Sequence, residues 1–364
     1  MERFRASFSD LEDPRADNAR HDLLEIVFIA LSAILCGAEG CADMADFGRA
    51  KERLLRQVLR LEHGIPSHDT FSRVFRLLDP EGFEAAFRRF MAGFAQELRR
   101  SGVVAIDGKS VRGAFERGRR TTPLHLVNVW AVEARLALAQ RKAPNRNEVA
   151  GALEVVQLLS LRGCIVTADA LHCHKAMAQS VLDQGGAYVL GLKENQGAIF
   201  ADAVRAIEAA SRRRTATASS EAGHDRQERR QAIVVRNTTL ARHHNFPGIR
   251  AIARIEAERQ VTGKPTETSA RYFLLSRSFS VAKFLRTVRA HWSIENHLHW
   301  TLDVVFDEDR ARNRKDHGPE NLALLRKLAL NLLRTHPDPA SMRRKVKRAG
   351  WDDAFLLSLL AQMR

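Results

Sequence analysis

The sequence has few cysteines and no long apolar run, and these absences exclude several classes of protein. Its four cysteines show no spacing typical of a disulfide framework, which excludes a disulfide-stabilised secreted domain. The longest apolar stretch, residues 26–38, is too short to cross a bilayer. The residues before it carry both signs of charge, unlike a secretory signal peptide. We therefore expect a protein of the reducing cytoplasm.

Acidic residues are also scarce relative to basic ones. The 58 Lys and Arg outnumber the 43 Asp and Glu, which gives a formal net charge of +15. A protein this basic favours an acidic partner, most commonly nucleic acid, although a solvated basic surface is the alternative interpretation. The hydrophobic content of 45% is sufficient for sizeable cores, and the length of 364 residues indicates two or three structural units.

The first hundred residues have the pattern of helices and predict an N-terminal helical domain, residues 1–100. An apolar helix over 23–36 is followed by helices over 42–61, 68–78 and 80–100. The third follows a short turn and carries Thr70 and Arg73, which resembles a helix-turn-helix. We expect these two side chains to contact DNA, whereas an ordinary helical bundle is the alternative.

From residue 101 the pattern changes to an α/β domain that extends to residue 364. Strands are predicted over 103–106, 124–132, 136–140, 164–168 and 187–192, with helices over 148–161 and 170–183. A β-rich subdomain, inserted at about 215–276, precedes further helices. Strands interleaved with helices favour an α/β core that binds ligands at strand ends.

Two aspartates follow apolar strands. Asp107 is followed by Gly108, which would let the backbone turn sharply, and Asp169 follows the strand over 164–168. Two such carboxylates on neighbouring strands repel each other unless a cation lies between them. Oxygen ligands suit Mg²⁺ or Mn²⁺. The alternative for either aspartate alone is a turn or helix-capping role.

A third carboxylate lies in a predicted helix. Trp292, Glu295, His299 and Leu302 are spaced so that they share one face of an α-helix. This spacing predicts that Glu295 faces inward, between an aromatic ring and a histidine. A structural ion pair is the alternative for Glu295.

Four segments in this order resemble the DDE transposases of bacterial insertion sequences, specifically the ISAs-type family with the H-repeat-associated proteins. They are residues 105–113 (AIDGKSVRG), 167–172 (TADALH), 188–196 (YVLGLKENQ) and 291–304 (HWSIENHLHWTLDV). The resemblance implies a ribonuclease H-like core in which Asp107, Asp169 and Glu295 are catalytic and bind two Mg²⁺ or Mn²⁺ ions. It implies metal-dependent cleavage and strand transfer of double-stranded DNA, at terminal inverted repeats and at target DNA. It also implies a homo-oligomer on DNA, at the nucleoid of a bacterial cytoplasm.

The resemblance is incomplete around the glutamate. Relatives often carry Tyr, Arg and Lys at positions −7, −4 and +7, where this chain has Val288, His291 and Leu302. We expect other polar side chains to contact DNA instead, with solvated charge as the alternative. Asp303 and Asp307 rank below Glu295 as ligands because the resemblance places the third carboxylate in the segment 291–304. The predicted DNA contacts of this domain are Lys109, Arg112, Lys193, His291, Asn296 and His299, and the alternating Arg310, Arg312 and Arg314 are predicted to be extended and to face DNA.

Two other functions are alternatives to an active transposase. A catalytically inactive, DNA-binding descendant of such an enzyme would keep the fold, but all three carboxylates are present. A sugar hydrolase with two carboxylates explains neither the net charge nor Glu295.

Overall fold

The computed structural model describes residues 2–15, 19–92, 102–114, 123–212, 217–223, 226–261 and 265–363. The chain divides into two compact units. Unit 1 comprises Met1–Arg100, Gly108–Glu148 and Glu295–Arg364, and unit 2 comprises Ser101–Asp107 and Val149–Ile294. Part of the predicted helix over 80–100 lies outside the described residues.

Within the described residues, helices make up the first hundred positions and those after 280, and the strands lie between them, interspersed with further helices. The helices are α1 Glu2–Phe8, α2 Leu23–Leu35, α3 Cys41–Ala50, α4 Glu52–Leu55, α5 His68–Leu77, α6 Pro80–Ala92, α7 Glu148–Gln157, α8 Lys175–Asp183, α9 Gly197–Ser211, α10 Thr239–His243, α11 Val281–His291, α12 Trp300–Val304, α13 Gly318–Thr335, α14 Met342–Trp351 and α15 Asp353–Ala361. The strands are β1 Val103–Val111, β2 Leu124–Ala131, β3 Leu136–Lys142, β4 Ile165–Ala168, β5 Ala187–Leu192, β6 Thr217–Gly223, β7 Arg226–Arg236, β8 Ala251–Val261 and β9 Glu267–Leu275.

The core of unit 1 is built around two apolar helices, α2 and α13. Asp22 caps α2 by accepting a hydrogen bond from the Glu25 backbone N–H at 2.9 Å. α13 packs against α2, α5, α6 and β3. Because both helices are apolar on most sides, both are almost entirely buried. The apolar helix predicted over 23–36 is present as α2.

The predicted helix over 42–61 is wrong, since the structure has α3 and α4 instead. Lys51 leaves the helical conformation, with φ −110° and ψ 16°, and ends α3. Residues 56–67 then connect α4 to α5. This connection is much longer than the turn of about three or four residues in a helix-turn-helix. The observed arrangement is therefore that of a helical bundle.

Unit 2 contains a mixed sheet. The first part of β1 pairs in parallel with β4, which pairs in parallel with β5. Antiparallel pairing then continues through β9, β8, β7 and β6. The core of this unit lies against α11 and includes Ile165, Val189, Leu275 and Phe284. The predicted β-rich segment is present, and its strands extend the sheet from β5. In unit 1, β2 and β3 form an antiparallel pair.

None of the described helices is both long enough and apolar enough to span a membrane.

α13 carries a fully buried lysine. The ammonium of Lys327 donates a hydrogen bond to Gln140 Oε1 at 2.8 Å. Burial lowers the pKa of Lys327 from 10.5 to about 8, with Glu308 opposing the shift. Below pH 8 this lysine is protonated in both the folded and unfolded states, and the cost of burying its charge is fully present. Between pH 8 and 10.5 only the unfolded state binds the proton, so folding stability rises with pH.

We expect Lys327→Met to remove this rise. The unfolding free energy of the unchanged protein, relative to the variant, should increase by about 3 kcal/mol between pH 8 and 10.5. Chemical denaturation at a series of pH values measures the difference between the two proteins. Taking the difference cancels the groups that titrate in both. If the difference in unfolding free energy between the two proteins stays constant across this pH range, the lowered pKa of Lys327 is contradicted.

Candidate active site

Asp107 and Asp169 lie at the same edge of the sheet in unit 2. β1 and β4 are parallel, with Ala105 paired to Thr167, and each aspartate follows its strand's member of that pair by two residues. The predicted adjacency of these two strands is confirmed. Lys193 follows β5 at the carboxyl end of the next parallel strand and is exposed. Asp107 thus lies just beyond the part of β1 that pairs with β4, while Asp169 and Lys193 directly follow β4 and β5.

The carboxylate of Asp169 is held in place by the loop that it begins. Its Oδ1 accepts a hydrogen bond from the Leu171 backbone N–H at 2.9 Å, which is the capping role considered as an alternative. Asn195 Nδ2 donates to the Ala170 carbonyl at 3.1 Å. A Cβ at Gly191 on β5 would lie 3.1 Å from the Ala170 nitrogen. The loop is thus packed tightly against β5, while Asp169 itself is exposed.

Gly108 does not end a strand, which corrects the sequence-based prediction. β1 continues beyond Asp107 to Val111, so the backbone makes no turn here. A side chain at this position would instead displace two neighbouring side chains. A Cβ at Gly108 would lie 2.3 Å from Glu148 Oε2 and 2.6 Å from His125 Nε2. These two side chains are paired at 2.6 Å, and Ser110 Oγ lies 2.9 Å from His125 Nδ1.

Glu295 lies in a π-helical turn, Ile294–His299. Because this turn is wider than an α-helical one, the predicted α-helical face does not form. Leu302 and His299 are buried as predicted, but the side chain of Glu295 is 53% exposed and Trp292 is 48% exposed. The prediction that Trp292 and Glu295 face inward is therefore wrong. An exposed carboxylate is nevertheless accessible to a hydrated cation.

A histidine and an asparagine lie next to Glu295 in unit 1. His299 Nδ1 is 3.4 Å from Glu295 Oε2, and its other ring nitrogen is 3.4 Å from Asn128 Nδ2. His299 is 5% exposed and Asn128 is fully buried, so both are fixed by packing. The imidazole therefore restricts the position of the carboxylate. Asn128 could not be identified from the sequence, because a single polar residue in an apolar strand has no recognisable spacing.

Lys109 is buried among three carboxylates rather than exposed to solvent. Its Nζ lies 2.7 Å from Asp303, 3.3 Å from Asp309 and 3.6 Å from Glu308. Burial acts to lower the pKa of Lys109, but the carboxylates outweigh burial and raise it. Burial raises the pKa of Asp303, and Lys109 opposes that shift. A phosphate contact from Lys109 would require these ion pairs to break.

The other predicted DNA contacts differ in their surroundings, and their roles stay predictions. Arg112 has an 82% exposed side chain, 3.5 Å from Asp309. His291 Nδ1 lies 3.2 Å from the Thr167 hydroxyl. The Thr70 hydroxyl lies 3.1 Å from that of Ser67, which caps α5. The exposed residues of the set also include Arg73, Lys193 and Asn296.

A second group of potential metal ligands lies in unit 2. Ligand atoms of Asp202, His243 and His244 lie within 4.8 Å of one another. A hydrogen bond from His244 lowers the pKa of Asp202, and the adjacent Arg205 adds to this effect. The hydrogen bond from His244 and the charge of Arg205 already compensate the carboxylate.

Comparison with known proteins identifies the family. A family model described as "Transposase DDE domain" matches residues 99–332, and one described as "DDE_Tnp_1-associated" matches residues 5–91. The chain is 31% identical to the "H repeat-associated putative transposase YhhI" of Escherichia coli, over 94% of this chain and 93% of YhhI. An uncharacterised protein from the dhlA 3′ region of Xanthobacter autotrophicus is 40% identical over 71% of this chain and 89% of its own length.

A shorter match adds a relative with a different description. The "Inactive transposase YbfQ" of Escherichia coli is 43% identical over 15% of this chain and 64% of its own length. The match of the DDE domain model covers more than half of the chain, in the order of motifs that the sequence shows. The chain belongs to the DDE transposase family of bacterial insertion sequences.

Proposed function

We propose that this chain is an active transposase, which binds the ends of an insertion sequence and performs metal-dependent cleavage and strand transfer of DNA. Its catalytic residues are Asp107, Asp169 and Glu295, carried on a ribonuclease H-like core within residues 101–364. One observation carries the proposal. Asp107 lies in β1 just beyond its parallel pairing with β4, and Asp169 directly follows β4, so both lie at the same edge of the sheet in a chain of the DDE family.

The residues of the proposed site fit a hard divalent cation. Three carboxylates supply the oxygen ligands that Mg²⁺ and Mn²⁺ prefer, and two ions are proposed. Asp169 and Glu295 are exposed, so phosphate and water have access to them. When bound, the ions would activate the attacking hydroxyl and stabilise the departing oxygen of the phosphodiester. No covalent bond between protein and DNA is required.

The remaining residues orient these ligands and attract the substrate. The Leu171 N–H fixes one oxygen of Asp169, and His299 restricts Glu295. Exposed Lys193, at the same edge as Asp169, would attract a DNA phosphate. We also propose ion-pair and hydrogen-bond contacts to DNA from Arg112, His291 and Asn296. Under this proposal, the protein side chains bind the DNA, orient the reacting groups and shield them.

The N-terminal helical domain would take part in recognising the DNA ends. Exposed Arg73 and half-buried Thr70 on α5 are its proposed contacts with DNA. Terminal inverted repeats and target DNA are the proposed substrates, bound by a homo-oligomer in the bacterial cytoplasm. The net charge of +15 supports a polyanionic partner.

The proposed activity predicts metal-dependent cleavage of a defined DNA. We expect the purified full-length protein, given Mg²⁺ or Mn²⁺, to cut a plasmid that carries the DNA flanking its own gene. Chelation with EDTA should stop cleavage, because the carboxylates would then lack the ions. A plasmid without the flanking DNA is the control. Gel electrophoresis and sequencing of the ends measure the products.

One outcome would favour the second candidate function. The relative named an inactive transposase suggests that members of the family can lose activity. Specific binding to the flanking DNA, without cleavage under any divalent metal, would identify this chain as an inactive DNA-binding descendant.

A further inference from the structure

A segment rich in arginine, residues 310–315, follows a short 3-10 turn in unit 1; we name it the arginine strap. Arg310 and Arg312 are exposed, while Ala311 between them is 9% exposed. Residues 311–314 form neither helix nor strand. The predicted alternation of Arg310, Arg312 and Arg314 therefore presents the first two to solvent and leaves Arg314 half-buried. The proposed catalytic site gives no reason for this alternation of arginines.

The arginine strap is fixed in position by contacts with β1 and α3. A Cβ at Gly113 would lie 2.5 Å from the Ala311 carbonyl and 2.7 Å from the Asp309 carbonyl, so only glycine permits this approach. Arg314 Nε donates to the Gly113 carbonyl at 2.9 Å. Asn313 Nδ2 lies 3.5 Å from Cys41 Sγ. A segment held in this way presents its exposed cations at a reduced cost in conformational entropy.

Two clefts border the arginine strap, and their charges differ. The larger, about 920 Å³, has four carboxylates in its lining, which balance its four arginines. The smaller, about 600 Å³, we name the α5 cleft. It is lined by Ser72, Phe75 and Arg76 of α5, by residues 312–315 and by Gly318. Four of these residues are cations, and the lining contains no carboxylate. Positive potential is therefore concentrated in the α5 cleft.

The walls of the α5 cleft are connected by hydrogen bonds. Arg76 pairs with Asp316 at 2.7 Å, which joins α5 to the end of the arginine strap and offsets the charge of Arg76. Asn321 on α13 donates to the carbonyls of Phe75 at 3.0 Å and Leu78 at 2.9 Å. These contacts hold α5, the arginine strap and α13 together. The cleft is thus formed before any partner binds.

We propose that the α5 cleft binds phosphates of the DNA backbone, with Arg312 and Lys315 as the principal contacts. Both side chains are exposed, and neither has a salt bridge within the part of the chain that the structure describes. Arg and Lys bind the phosphates of DNA with release of counterions, and these contacts require no base sequence. The identity of the partner as DNA rests on the proposed function.

The test is the salt dependence of binding to a fluorescent duplex of random sequence, measured by anisotropy with the full-length protein. Each phosphate contact contributes a slope of about −0.9 to the plot of log affinity against log salt concentration. We expect the double variant Arg312→Ala, Lys315→Ala to make this slope shallower by about 1.8. Affinity at about 0.1 M salt should fall roughly 10- to 100-fold.

A matched variant controls for net charge. Arg343→Ala with Lys347→Ala removes one arginine and one lysine from exposed positions on α14, outside both clefts. It should keep the slope and the affinity close to those of the unchanged protein. Circular dichroism and thermal unfolding verify that both double variants are folded, as expected for exposed side chains.

Three results would overturn the inference. If the cleft variant matches the unchanged protein in slope and affinity, or if the control variant loses as much binding as the cleft variant, the α5 cleft is refuted. Normal cleavage of flanking DNA with either result leaves the proposed function intact. An unchanged protein with no affinity for any duplex, including its flanking DNA, refutes both.

Discussion

Asp169→Asn is expected to abolish DNA cleavage and strand transfer while DNA binding stays close to that of the unchanged protein. The amide keeps the size of the side chain and can still accept the hydrogen bond from Leu171 N–H. It removes the negative charge that a metal ligand needs. Loss of residues that merely support a ligand costs about 10- to 100-fold, so loss of the ligand itself should cost more than about 100-fold. Affinity for DNA depends mainly on Lys and Arg.

The same result is expected for Asp107→Asn and Glu295→Gln. Cleavage of flanking DNA and joining of pre-cut ends are the two measurements, each made beside a binding assay. Asp202→Asn is the control in unit 2, because it changes the other group of potential ligands. Asp307→Asn is the control in unit 1, and asparagine tolerates the positive φ of 50° at this position. Normal strand transfer by any of the three variants would remove that residue from the site.

The strand positions of the two aspartates could be predicted from the sequence, since buried parallel strands are continuous apolar runs that end visibly. The apolar runs Val103–Ile106 and the one before Asp169 predict two strands, and the structure contains both, adjacent and parallel, with the aspartates at one edge of the sheet. The family motifs added the glutamate, which no local pattern separates from Asp303 or Asp307. The structure separates both aspartates from Glu295. Asp303 pairs with Lys109, and Asp307 has a left-handed backbone.

Features that depend on distant contacts were not predictable. Gly108 was interpreted as a turn residue, but its lack of a side chain accommodates Glu148, forty positions away along the chain. Glu295 was placed on an α-helical face, whereas a π-helical turn changes which residues share a face. Lys109 was predicted as a phosphate contact, since nothing near it in sequence indicates three carboxylates from residues 303–309. For Gly108 and Lys109, the deciding partners lie far away in sequence.

The carboxylates around Lys109 lead to the second large effect, which is on stability. Glu308 is fully buried, and Lys109 lies 3.6 Å from it and 2.7 Å from Asp303. Lys109→Met would keep the length of the side chain but leave this group of carboxylates without its ammonium. Removing one partner of a buried ion pair costs about 3–5 kcal/mol, because the remaining charge is buried without compensation. We expect the unfolding free energy to fall by that amount.

Urea denaturation of Lys109→Met at neutral pH measures this loss, and Lys347→Met is the matched control at an exposed position. The control should change the unfolding free energy by less than about 0.5 kcal/mol. Burial raises the pKa of Asp303 and Lys109 opposes that shift, so removal of the ammonium would raise the folded-state pKa of Asp303 further above its unfolded value. The loss should therefore shrink as the pH falls and the carboxylates take up protons.

Adding Glu308→Gln to Lys109→Met should recover part of the stability, because the fully buried charge is then absent. A Lys109→Met protein as stable as the control, with no pH dependence of its own, would show that Lys109 does not stabilise this group of carboxylates.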